Sequence, residues 1–133
     1  GQAYGALDAS RRFADGLVGT RLNVVGRAGE VAVDDQRRSL SVVSLGTDYQ
    51  GERLRLYADF GYQDHFIDDP RPQVTPLGAA PAAPDADENF AQPWTFSDER
   101  QLFGAARGEF DLTEAITLWL AFGDDEDVDD TQT

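Results

Sequence analysis

The chain has 133 residues, 41% of them hydrophobic, with 25 acidic side chains against 11 Lys and Arg and a net charge of −14. That length supports one domain with a core, while the negative field excludes a nucleic-acid partner, whose phosphates most of the surface would repel. Cysteine is absent, which removes disulfides, zinc-thiolate sites and cysteine nucleophiles, and no apolar run approaches the ~18 residues of a membrane helix, so only β-structure could span a bilayer.

In chain order, residues 2–11 form the first alternating segment and "RFADG" at 12–16 a turn. The opening "GQAYGAL" is strand sequence without an initiator methionine or a signal peptide, which makes the chain look processed or excised. Segment 17–27 follows, then the connection "AGEVAVDDQ" at 28–36, then segment 37–49 and the tight turn "QG" at 50–51. Segment 52–64 alternates almost perfectly and gives way to a long loop, 65–97, rich in Pro and Ala. Segment 98–111, the turn "LT" at 112–113, segment 114–123 and an acidic end at 124–133 complete the chain. Most segments run 10–14 residues, against the usual ~5–6 of a soluble strand.

Short turns therefore alternate with long loops, which sorts all the turns to one end of the sheet and all the loops to the other. Outer-membrane barrels have this arrangement, and a soluble sandwich has no reason for it. The predicted fold is all-β: an antiparallel meander of about six long strands, a section of a transmembrane β-barrel. Parity assigns the faces. Leu54, Leu56, Ala58, Phe60 and Tyr62 share one side, opposite Arg53, Arg55, Tyr57, Asp59 and Gln63. Val18, Thr20, Leu22 and Val24 oppose Arg21, Asn23 and Arg27. Val43, Leu45, Thr47 and Tyr49 oppose Arg38, Ser44 and Asp48, although Leu40 and Val42 blur the polar side. Ile116, Leu118, Leu120 and Phe122 oppose Thr117, Trp119 and Ala121. In a wide barrel the apolar set meets lipid and Arg21, Asn23, Asp48, Arg55, Asp59 and Arg107 line a hydrated lumen where opposite charges pair. Phe13, Tyr49 and Phe110 close segments at one rim, as an aromatic girdle requires.

"VGTRLNVVGRAGE", "GTDYQGERLRLYADFGYQDH", "PAAPDADENFAQPWT" and "RGEFDLTEAITLWLAFG" occur in an order that resembles the barrel of TonB-dependent siderophore receptors, in its N-terminal portion just after the plug. Each motif is loose and the ordered set far more specific. The resemblance covers nearly the whole chain. It implies a barrel of about 22 strands in the bacterial outer membrane that imports a ferric siderophore with energy transmitted by TonB. The ferric chelate is then transported ligand, with no cofactor expected, and outer-membrane lipid a further partner. The sequence has no recognisable plug or TonB-contacting segment, and strands for only about a quarter of such a barrel.

No catalytic constellation emerges, so an enzyme is not expected. The one histidine, His65, has no serine or second histidine at triad spacing and is expected to be a polar loop residue. In the long loop, Phe90, Trp94 and Phe96 could offer apolar contacts to a chelate and Arg71 could attract its anionic groups. The run "DDEDVDD" at 124–130 lacks the alternating ligands and turn glycine of a calcium loop and is expected to be a solvated acidic loop. Two alternatives stand beside the receptor: a soluble ligand-binding β-barrel or sandwich with the apolar faces inward, and a calcium-binding surface module. Six strands cannot close a wide barrel, so the isolated chain is expected either to self-associate along its unpaired edges or to close on its apolar parity.

Overall fold

The computed structural model describes residues 1–72, 78, 85–89 and 91–132. Six strands form one sheet: β1 (Gln2–Phe13), β2 (Val18–Glu30), β3 (Arg37–Gln50), β4 (Leu54–Asp68), β5 (Phe96–Thr113) and β6 (Ile116–Gln132). They lie in sequential order, each antiparallel to the next, which is the meander the alternation predicts. The turn end is tight. Ala14, Asp15 and Gly16 all have positive φ, and the Leu17 N–H donates to the Ala14 carbonyl at 3.1 Å. Gly51 N–H donates to the Leu54 carbonyl at 2.9 Å across the second turn.

At the loop end the strands run further than expected. β4 continues through His65 to Asp68, so His65 lies within a strand, and β5 begins at Phe96. The acidic end differs most, since 124–132 is strand, paired residue by residue with 96–104 of β5. Aspartate is a poor strand former, which is why this run looks like a loop. Alternation sends Asp124, Glu126 and Asp130 to one face and Asp125, Asp127 and Asp129 to the other, all exposed to water, so neighbours along β6 point apart, and the like charges that the register sets opposite one another, Asp98 with Asp130 and Glu99 with Asp129, are screened by solvent while the backbone ladder is kept.

Among the described residues no hydrophobic side chain is buried, and only Gln36 and Thr95 among the polar ones are, at 4% and 7% exposure. The sheet stays open, without pairing between β1 and β6, so the expected alternative of closing on the apolar parity does not occur. Instead the register assembles one apolar face. One row across it reads Phe13, Val18, Tyr49, Leu56, Gly108, Leu120, and another Leu7, Val24, Val43, Tyr62, Leu102. Along β4 the belt from Leu54 to Tyr62 spans ~27 Å of strand, or ~20 Å of height at the tilt of a barrel strand, close to the ~25 Å apolar band of such barrels. Above the belt the same face turns mostly polar, apart from Phe66, Phe96 and Val128: Arg37 and Ser39 on β3, Asp64 and Asp68 on β4, Asp98 and Arg100 on β5, Asp124 and Glu126 on β6. The belt also drifts. On β1 to β3 it starts at the Phe13, Val18, Tyr49 row, on β4 to β6 at the Leu54, Phe110, Leu118 row, and on β6 it ends at Phe122, two rows below Leu102. An apolar band running obliquely to the strands is what tilted strands crossing a level membrane require.

Candidate functional site

The face opposite the belt carries the charges, and the register decides who meets whom. Arg12, Gly19, Asp48, Tyr57 and Arg107 lie in one row across five strands. Arg12 of β1 reaches over β2 to Asp48 of β3, at 2.7 Å, because Gly19 between them has no side chain: the Asp48 carboxylate occupies the space a Cβ would need. Gln50 adds a hydrogen bond to the same carboxylate at 3.0 Å. One row further in, Arg21 grips Asp8 through two bonds, 3.1 and 2.6 Å, on the diagonal that neighbouring strands allow.

The densest network centres on Arg55. Its Nε donates to Glu109 at 2.9 Å, and its two terminal nitrogens donate to the two oxygens of Asp111 at 2.9 and 3.0 Å. Thr117 donates to Asp111 at 2.7 Å, Arg107 pairs with Glu109 at 2.7 Å, and the Arg107 guanidinium lies 5.8 Å from the Trp119 ring centroid. One planar guanidinium thus joins two carboxylates with well-formed bidentate geometry. Arg55→Leu is expected to lower the urea midpoint more than Arg107→Leu, because it leaves Asp111 without a cation and takes one of two from Glu109, where Arg107→Leu leaves Arg55 paired with both carboxylates. Equal midpoints in parallel urea titrations would count against Arg55 as the hub.

All six residues expected on the lumen side share this face. Arg21, Asp48, Arg55 and Arg107 sit in ion pairs. Asn23 stands opposite Asp8 and Ser44, and Asp59 opposite Gly46 and Ala105, neither in an ion pair among the described residues. Sequence reasoning passed over Asp8, Arg12, Glu109 and Asp111, which extending the parity of each segment would have found. His65 also faces this side, 3.6 Å from Glu99. A hollow of about 560 Å³ bounded by Arg12, Gly19, Arg21, Asp48, Tyr57 and Asp59 leaves the face open to solutes.

The loop-end candidates do not converge. Arg71 donates to the carbonyls of Asp85, Ala86 and Glu88 at 3.1–3.2 Å, so its guanidinium clasps the 85–88 segment. Asn89 extends the clasp, donating to the carbonyls of Asp34 and Asp69 at 3.1 and 3.0 Å, while Asp34 N–H donates to Asp87 at 2.9 Å. Phe96 stacks on Phe66, centroids 6.0 Å apart, on the belt side of the sheet, opposite to the face that carries the Arg55 network. Trp94 is 64% exposed, and Phe90 lies outside the described residues. Arg71→Ala is expected to speed amide hydrogen exchange at 85–89 without changing it in β3 or β4, read by mass spectrometry. Among the described residues no group of three or more carboxylates or histidines is disposed to hold a metal ion.

No family model matches the chain. Over 125 residues, 92% of its length, it is 38% identical to the ferrichrome receptor FcuA of Yersinia enterocolitica and covers 16% of that protein. Its fold matches the crystal structure of BauA, the ferric preacinetobactin receptor from Acinetobacter baumannii, with a TM-score of 0.90 and 28% identity, over 98% of this chain and 20% of that one. The chain thus spans only 16% of the curated relative's length. Sequence and fold agree with what the ordered motifs imply, a stretch of siderophore-receptor barrel wall.

Proposed function

We propose that this stretch of TonB-dependent siderophore-receptor barrel stands in the bacterial outer membrane, belt side on lipid and charged side on the lumen, and serves the import of a ferric siderophore. One observation carries the reading: a two-faced sheet in which no described hydrophobic side chain is buried, while on the opposite face Arg21–Asp8 ties β1 to β2, Arg12–Asp48 ties β1 to β3 over Gly19, Arg55 ties β4 to β5 through Glu109 and Asp111, and the Thr117–Asp111 hydrogen bond ties β5 to β6. A soluble barrel or sandwich needs the reverse, with the belt inside. Ion pairs along a hydrated lumen keep their charges in contact with water, so the wall holds polar residues at membrane depth without desolvating them fully.

Import makes the chelate cargo and the wall its enclosure, and no chemical step is assigned to it. The energy is taken to come from TonB acting on a plug inside the barrel, and the loop-end clasp of Arg71 and Asn89 shapes one part of the mouth. In cells expressing the receptor that contains this segment, uptake of iron-55 supplied on a panel of hydroxamate and catecholate chelates is expected for at least one chelate and is expected to vanish in cells lacking TonB. Recovery of the protein in the soluble fraction, or uptake unaffected by loss of TonB, would contradict the reading.

A further inference from the structure

Two neighbouring rows of the charged face repeat one arrangement, and only one of them is closed. In the first, Arg12 of β1 passes over Gly19 of β2 to Asp48 of β3. The next row repeats the order one strand along, with Arg21 on β2, Gly46 on β3 and Asp59 on β4. The Asp59 carboxylate leans over Gly46, where an added Cβ would meet its Oδ1 at 3.0 Å, so it lies on the side of its strand that faces Arg21. Gly46 puts no side chain between the two, and Arg21, Gly46 and Asp59 line one hollow of about 560 Å³. Yet Arg21 grips Asp8, and Asp59 is in no ion pair among the described residues. The difference has a local cause. Arg21 finds Asp8 at a diagonal position of the adjoining strand, where the corresponding neighbour of Arg12 is Arg21 itself. The Arg21–Asp8 pair is 63% and 51% exposed, and an ion pair so open to water is held weakly. The Arg12–Asp48 bridge shows that an arginine on this face spans the two strand spacings, ~10 Å, that also separate Arg21 from Asp59.

We propose that Arg21 is a two-position guanidinium, which rests on Asp8 and crosses over Gly46 to Asp59 when Asp8 is taken from it. The wall then offers a cation in the lumen one carboxylate of this set at a time: Asp59 while Arg21 holds Asp8, and Asp8 once Arg21 has crossed. The two stand on β4 and β1, three strand spacings or ~14 Å apart. A cation bound at Asp8 favours the crossed position and one bound at Asp59 the resting position, so each biases the equilibrium by its own preference. Only side-chain rotation is needed, and the backbone ladder stays paired. The device rests on the register of the sheet, and the lumen reading above gives it its place.

The test uses the receptor that contains this segment, purified in detergent, and carbodiimide coupling of glycine ethyl ester to its carboxylates, read site by site by mass spectrometry. The rate at Asp59 is expressed relative to that at Asp48, whose bond to Arg12 no variant touches. Asp8→Asn and Asp8→Ser each release Arg21. In either, Asp59 is expected to couple about threefold more slowly than in the parent, the population change that an exposed ion pair supports. Adding Arg21→Gln is expected to restore the parent rate. An Asp59 rate unchanged in both Asp8 variants, or a slowing that persists when Arg21→Gln is added, would overturn the proposal. Coupling needs neither chelate nor TonB. Failure here therefore sinks the two-position arginine alone, whereas uptake unaffected by loss of TonB sinks the import reading and leaves the arginine standing.

Discussion

Phe60→Arg is expected to destabilise the receptor barrel in phospholipid vesicles by ~2–4 kcal/mol, the cost of an arginine on the lipid face near the bilayer midplane. Phe60 lies inside the Leu54–Tyr62 run of the belt, exposed on its outer side. Ser44→Arg places the same side chain at nearly the same height, since Ser44 pairs with Gly61, the next residue of β4, but on the charged face beside Asn23. Its cost is expected to stay within ~0.5 kcal/mol, as for an ordinary hydrated position. Urea titrations of folding into vesicles compare the two. Equal costs, or the larger one at Ser44, would mean that the faces are assigned the wrong way round.

The isolated chain without lipid or detergent is expected to sediment as oligomers rather than as a monomer. Two causes act together. β1 and β6 are both edges of an open sheet, and an unpaired ladder of N–H and C=O groups recruits another strand. The belt adds large apolar side chains that water covers poorly, Leu120 and Phe122 at 72% and 71% exposure among them. Detergent is expected to mask the belt and leave the edges, reducing the oligomers to small edge-paired species in sedimentation velocity. A monodisperse monomer in plain buffer would mean that neither cause operates.

The two faces were legible in the sequence because alternation is a local property: any two neighbouring residues of a strand point apart, whatever the rest of the chain does. Leu54, Leu56, Ala58, Phe60 and Tyr62 share the belt side for that reason, and all six expected lumen residues share the other. The pairing was harder to read. Arg12 and Asp48 meet across 36 positions of sequence only because two hairpin registers and the bare Gly19 align them. Arg55 finds Glu109 and Asp111 across the long connection in the same way. The acidic end was misread because composition and pattern conflict there. Aspartate disfavours strands on average, yet a solvent-exposed ladder tolerates it when alternate residues face apart. Arg71 illustrates the limit for loops. A cation near a mouth suggests an anion, and only coordinates reveal that backbone carbonyls of its own loop occupy it.

The central claim is the direction in which each face of β4 points, and spin labels placed singly at positions 54–63 of the receptor in lipid vesicles test it most directly. Collision with oxygen, which concentrates in the bilayer, and with a water-soluble nickel chelate is read at each site. The account predicts a period of two: oxygen dominates at 54, 56, 58, 60 and 62, and nickel at 55, 57, 59 and 63, with position 61 left unlabelled because the Phe103 ring fills the space a Cβ would need there. An opposite phase, or no alternation along the strand, would contradict it.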